Sequence, residues 1–167
     1  PRSQGRGGRP QRRGARGRRG RLKHERTGGR LRIGALNIQS LKPKTQELTT
    51  LLHHHNIDAM LLSETWLRPS TPSRLVVVPG YTISRADRPD GRGYGGVAIL
   101  TRTSISSSSV NIPSPGIPAS KLESKWARLG LERGRQLIVG SLYRPPRYTV
   151  GALQDDFSDL EAQLQHV

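Results

Sequence analysis

Apolar residues first take on a regular spacing near Leu31, and from there they alternate between short extended runs and a few helical stripes. Leu31, Ile33, Ala35, Leu36 and Ile38 suit a strand that ends at Asn37-Ile38-Gln39-Ser40. Over residues 44–55, Leu48, Leu51, Leu52 and His55 recur at i, i+3, i+4 and i+7, which predicts one face of an amphipathic helix. Pro43 precedes it, near a first-turn position where a missing N–H is harmless. Residues 57–63 form a short apolar run, as in a buried strand, ending at Glu64. Residues 81–84 and 96–102 read as further strands, separated by the turn signal Arg88-Pro89-Asp90-Gly91-Arg92-Gly93. Residues 104–120 are rich in Ser and Pro and are expected to be a loop. Residues 125–131 and 136–143 flank the tight turn Glu132-Arg133-Gly134-Arg135, a hairpin signal. Leu153, Phe157, Leu160 and Leu164 then make an apolar helical stripe within 152–165. Strand, helix, several strands with long loops, then helix is the order of an α/β domain with β-rich stretches. At 167 residues there is room for one such domain, and no internal repeat is present.

Residues 1–30 follow neither period. Gly and Arg dominate, Leu22 is the one large apolar residue, and such a segment cannot bury enough surface to offset its ordering entropy, so it is expected to be disordered. Charge sharpens this division. The chain carries +16 overall, but residues 1–30 hold eleven Arg and one Lys against the single Glu25, a net +11. Residues 31–167 hold 16 basic and 11 acidic side chains, a net of only +5. The tail thus suits polyanions, neutralising phosphates of DNA, or of RNA, without reading their sequence. The plainer alternative is a passive, solvated leader. No cysteine is present, which excludes disulfides and thiolate metal sites and fits an intracellular setting. The longest apolar runs, Ala59-Met60-Leu61-Leu62 and Leu75-Val76-Val77-Val78, are too short to span a bilayer, so no membrane partner is expected. The Arg-rich start lacks the apolar core of a secretory signal, and residue 1 is Pro, as in a fragment or processed product.

Three polar residues stand where apolar strands end: Asn37, Glu64 and Tyr143. Ligand sites of layered α/β folds gather at such edges. Taken singly each has a plain explanation: a turn asparagine, a carboxylate capping the next turn, a packing tyrosine before Pro145-Pro146. His53-His54-His55 invites a metal site, but consecutive helical positions point about 100° apart and cannot face one ion together. Surface and core-edge roles suit them better. Trp66 and Trp126 read as core or rim packing.

In order along the chain, LNIQSL, LLSETWL, YTISRADRPDGRGYGGVAIL and LIVGSLYRPP together resemble the endonuclease/exonuclease/phosphatase superfamily. The likeness is greatest to the apurinic-like endonuclease domain that opens non-LTR retrotransposon polyproteins, and it covers residues 31–167. The resemblance implies a DNase I-like fold, a two-sheet β-sandwich flanked by helices, with active-site residues at one rim. It implies Mg²⁺-dependent hydrolysis of phosphodiesters in DNA, with Mn²⁺ able to substitute, and a parent polyprotein, nuclear in location, that carries a reverse transcriptase. By the same resemblance Glu64 is the principal metal ligand, Asn37 orients that carboxylate or a metal-bound water, and Tyr143 hydrogen-bonds the scissile phosphate. Arg144 is a candidate contact to a backbone phosphate. Arg85 and Arg88, around Asp87, either shape a DNA-facing rim or hold the turn through an Asp–Arg pair, and the structural role is favoured. Gly95 and Gly96 read as backbone requirements, and Tyr94 stands where many relatives carry another glycine.

The resemblance also implies residues that are not in the chain. Relatives carry an Asp-x-Asn motif after the second helix and an Asp-His pair further on. Asp155-Asp156-Phe157 lies in the helical stripe without a following Asn and is no substitute. The fold is therefore expected to be incomplete, 31–167 being the amino-terminal portion of the domain, and this portion inactive by itself. Two alternatives remain: a non-catalytic nucleic-acid binder acting through its basic tail, and another phosphoesterase branch acting on inositol phosphates or sphingolipids. ETWL and YRPP together argue against the latter.

Overall fold

Parallel strands need a crossover, and here an amphipathic helix supplies it. In the computed structural model, which describes residues 30–88, 90, 93–112, 117–146 and 149–167, strand β1 (Ile33–Asn37) runs beside β2 (Ala59–Ser63) with Asn37 opposite Ser63. Helix α1 (Thr45–His54) connects them, entered through a 3₁₀ turn at Lys42–Lys44 that places Pro43 in a first-turn position. Leu48 and Leu52 of the expected face are buried, whereas Leu51 and His55 stay exposed. Strands β3 (Tyr81–Ala86) and β4 (Val97–Arg102) complete a four-stranded sheet in the order β1-β2-β4-β3, with β4 antiparallel to both its neighbours.

A second sheet contains β5 (Ser107–Val110), β6 (Glu123–Gly130) and β7 (Gln136–Tyr143), all antiparallel. The hairpin expected between β6 and β7 forms, closed by Arg133 and Gly134 at positive φ and by Leu131 N–H donating to the Arg135 carbonyl at 2.7 Å. Helix α2 (Val150–Leu164) follows, capped by the Thr149 hydroxyl, which accepts from Ala152 N–H at 3.3 Å.

The central strands are apolar on both faces because each face has its own core. Met60, Leu62, Ala98 and Leu100 pack with Leu48 and Leu52 of α1, together with Val76, Val78 and Tyr81. Ala59, Ile99 and the half-buried Leu61 face the other way, onto Ala127, Leu129 and Val139 of the second sheet. Burying one such aliphatic side chain contributes about 1.5–3 kcal/mol, so these two layers dominate the stability of the sandwich. The architecture is the two-sheet sandwich with flanking helices that the resemblance implies.

One expectation is corrected, and the structure adds how α2 is oriented. The serine-rich stretch expected to be all loop contains β5, an edge strand with only one ladder, whose Ser107, Ser108 and Ser109 are exposed and so carry no apolar alternation. The stripe of α2 does not face the sheet. Leu153, Phe157 and Leu164 are exposed, while Asp156, Asp159 and Gln163 are buried. Polar pairing drives that choice: Trp126 Nε1 donates to Gln163 Oε1 at 2.9 Å, Gln163 Nε2 to Asp159 at 2.8 Å, and the Lys121 N–H to Asp156 at 2.8 Å. The tail of residues 1–29, and Pro89, Gly91 and Arg92 of the expected turn, lie outside the described residues.

Candidate active site at the strand ends

The register of the sheets gathers the site. β2 ends at Ser63, opposite Val97 at the start of β4, so Glu64 leaves the sheet beside Gly95 and Gly96. Asn37, exposed, ends the parallel neighbour β1. In the other sheet Tyr143 ends β7 opposite Glu123, the first residue of β6. Between the layers, Ser141 Oγ donates to the Leu62 carbonyl at 2.7 Å, both groups buried.

Glu64 and Trp66 adopt φ of 58° and 55°, a region that non-glycine residues enter at a cost of about 1 kcal/mol or more. Backbone hydrogen bonds on both sides hold them there. Thr65 N–H donates to Gly96 O at 3.1 Å and Trp66 N–H to Gly95 O at 2.9 Å. On the opposite side Ser40 N–H donates to Glu64 O and Leu41 N–H to Thr65 O, each at 2.9 Å.

Hydrogen bonds then converge on the Glu64 carboxylate. Trp66 Nε1 donates to Oε2 at 2.6 Å, Gly95 N–H donates to the same oxygen at 3.2 Å, and the Tyr143 hydroxyl also donates to this carboxylate. Partial burial works to raise the Glu64 pKa, but these donors and the nearby Arg88 charge outweigh it and hold the group below its ordinary value. Tyr143 moves the other way, pushed up to about 12 by burial first and then by its bond to Glu64 and the charges of Glu64 and Glu123. At neutral pH the pair is therefore a carboxylate and a phenol that keeps its proton.

A second carboxylate sits behind the first. Glu123 accepts from Gly96 N–H through a short hydrogen bond and pairs with Arg88 Nε at 3.0 Å. A Cβ on Gly95 would lie 2.5 Å from Glu123 Oε1, and one on Gly96 would lie 2.6 Å from Thr65 Oγ1, so a side chain at either position would displace these groups as well as strain a backbone held at positive φ. Glu123 is half-buried, and its pKa is raised by burial, with Glu64 and Asp90 adding to the rise against Gly96 and Arg88. Sequence reasoning missed Glu123, because a glutamate before a strand is ordinary. Its signal was indirect: the paired glycines need something bulky or charged against their backbone.

Among the candidate contacts to nucleic acid, Arg144 is exposed directly after Tyr143. Arg88 is half-buried against Glu123, with Asp90 3.8 Å away. Arg85 pairs with Asp87 at 3.2 Å and donates to Thr71 O at 2.6 Å, so its guanidinium is engaged within the protein. His53, away from the site, approaches Pro79 O at 3.1 Å and meets Tyr81 edge-to-face.

Among the described residues no three His, Cys, Asp or Glu side chains gather at one point. An ion at this rim would take the Glu64 carboxylate and the Asn37 amide oxygen, with water completing the shell. Mg²⁺ suits so sparse a set because it keeps several waters and binds through one or two carboxylates.

Comparison with known proteins agrees with this geometry. The profile of the Endonuclease/Exonuclease/phosphatase family matches residues 34–161. The chain is 31% identical over 137 residues to the RNA-directed DNA polymerase from mobile element jockey of Drosophila melanogaster, across 80% of this chain and 14% of that protein. It is 29% identical over 135 residues to the probable RNA-directed DNA polymerase from transposon X-element of the same organism, across 81% of this chain and 14% of that protein. The chain thus spans a small part of these relatives' length. Among solved structures it is similar to the human Nocturnin catalytic domain, with a TM-score of 0.61 at 16% identity over 82% of this chain and 58% of that one. The endonuclease domain of TRAS1, a telomere-specific non-LTR retrotransposon, gives 0.54 at 15% identity over 81% of this chain and 54% of that one. At such identities the likeness establishes the fold.

Proposed function

Because the chain belongs to the Endonuclease/Exonuclease/phosphatase family, as a domain related to non-LTR retrotransposon polyproteins, we propose that it supplies the metal-ligand half of a DNA-nicking phosphodiesterase. The observation that carries this reading is the convergence on Glu64: a carboxylate at a strand end, kept ionised by three donors and open to solvent at the rim. The family is generally metal-dependent. Glu64 and Asn37 would hold Mg²⁺ or Mn²⁺, which when bound polarises a phosphoryl oxygen and stabilises the leaving 3′-oxygen.

The chain's own residues do the rest of the work at this rim. Glu123 fixes the Gly95–Gly96 turn, and the turn fixes Glu64. Tyr143, protonated up to about pH 12, can hand its hydrogen bond from Glu64 to a phosphoryl oxygen on which negative charge builds. Arg144 and the basic tail add contacts to the phosphate backbone, and Arg88 adds positive charge behind Glu64. Neither an Asp-x-Asn nor an Asp-His sequence occurs in the 167 residues, so we assign the general base to residues outside them.

Plasmid nicking tests the assignment. The 167-residue chain should show no appreciable nicking with Mg²⁺ or Mn²⁺. A longer segment of the same element that carries an Asp-x-Asn motif should nick. There Glu64→Gln should abolish activity while sparing DNA binding, and Tyr143→Phe should lower the rate about 10²–10³-fold. Near-normal nicking by the Glu64 variant would refute the metal placement.

A further inference from the structure

Trp66 is one of the donors that fix Glu64, yet the residue is 36% exposed, and its ring meets that of Tyr94, 60% exposed, edge-to-face at 5.3 Å between centroids and 75° between planes. Two large aromatic rings left in water beside a catalytic carboxylate are not explained by holding the fold together. Neither ring belongs to either apolar core. Trp66 is locked in place by its Nε1 bond to Glu64 and by its backbone bond to Gly95. An edge-to-face pair leaves a ring face free to receive a third planar group. Positive charge lies alongside: the exposed Arg68 guanidinium reaches within 3.3 Å of where a side chain on Gly93, the neighbour of Tyr94, would begin. A planar apolar group flanked by a cation, next to a site for a phosphate, matches the chemistry of a nucleotide whose base is out of the duplex stack.

We propose that Trp66 and Tyr94 form a stacking ledge for an unpaired nucleobase adjoining the phosphate handled at Glu64, with Arg68 neutralising the next phosphate along. This rests on the nuclease reading above and adds its substrate preference: DNA that is unstacked or readily unstacked at the cut. The ledge should tolerate any base, because every base offers a flat π face, and should discriminate against a strand that lacks the base.

The chain's tryptophan content makes this measurable. Only Trp66 and Trp126 are present, and Trp126 is buried and bonded to Gln163. The full chain is titrated, without metal, with a short oligothymidylate and with a strand of equal length built of abasic residues. Both strands carry the same charge, so tail binding is matched. The thymidylate strand should quench tryptophan emission and the abasic strand should not. Trp66→Phe should remove the quenching. Tyr94→Ala, at an exposed position, should weaken the thymidylate strand about tenfold and leave the abasic strand unchanged. Equal quenching by both strands, no quenching by either, or quenching that survives Trp66→Phe would overturn the ledge. The metal assignment is judged separately by Mn²⁺ binding. Glu64→Gln retains an acceptor for Trp66 and should keep the base-dependent quenching even as it loses the ion.

Discussion

The Ser141 hydroxyl donates to the Leu62 carbonyl at 2.7 Å, and each residue lies two positions before a site residue, Tyr143 and Glu64. This buried bond ties the end of β7 to the end of β2, and so sets the spacing between phenol and carboxylate across the two sheets. Ser141→Ala should cost about 1–3 kcal/mol, because the Leu62 carbonyl loses its side-chain donor in a buried setting. Ser141→Cys, a weaker donor of similar size, should fall between. Urea denaturation measures both, and a Ser141→Ala variant as stable as the parent would show that the sheets are positioned by packing alone.

Glu64 and Glu123 should leave opposite marks on stability as pH changes. Burial raises the Glu123 pKa, so the folded protein holds that proton more tightly than the unfolded chain. Its contribution is therefore full below the ordinary carboxylate value and is lost as pH rises through the folded value. Glu64 is lowered by its donors despite burial, so its contribution is present above the ordinary value and is lost as pH falls through the folded one. Thermal melts from about pH 3 to 7, bracketing ordinary carboxylate titration, should show Glu123→Gln removing a decline on the higher side and Glu64→Gln removing a decline on the lower side. Identical slopes in parent and variants would contradict both.

On α2 the polar face should matter more than the apolar one. Gln163→Ala strips Trp126 Nε1 of its acceptor and Asp159 of a donor, all buried, and should cost about 1–3 kcal/mol. Phe157→Ala, at a residue 56% exposed, should cost less than about 1 kcal/mol in the isolated chain. The reverse ranking in denaturant melts would mean that α2 docks by its leucine stripe after all.

Salt should govern the affinity of the chain for duplex DNA. Residues 1–30 carry +11, and each phosphate neutralised adds about 0.9 to the slope of log K against log salt. Deleting them should remove most of the binding and flatten that slope. Affinity unchanged at low salt would make the tail passive.

The strands and helices with strong periodicity were legible from spacing alone, and so were the strand-end positions of Asn37, Glu64 and Tyr143. β5 was not, because an edge strand of serines lacks the alternation that burial imposes. The orientation of α2 was not, because hydrogen bonds of Gln163 and Asp159 outweigh a regular leucine spacing. The paired glycines read as backbone requirements, for positive φ or for close packing; the folded chain shows both, with Glu123, 27 positions after Gly96, against them. Trp66 read as packing because composition cannot tell a buried indole from one whose N–H holds a carboxylate at the surface.

The central claim is that Glu64 holds the divalent ion, and two indole protons report on it directly. Trp66 Nε1 donates to Glu64, whereas Trp126 Nε1 donates to Gln163 in the buried contact between β6 and α2. In a Mn²⁺ titration followed by proton–nitrogen correlation spectra, paramagnetic broadening should erase the Trp66 indole signal well before that of Trp126. Glu64→Gln should remove this selectivity. Simultaneous broadening of both signals, or selective loss at Trp66 that persists in Glu64→Gln, would contradict the placement of the metal at the end of β2.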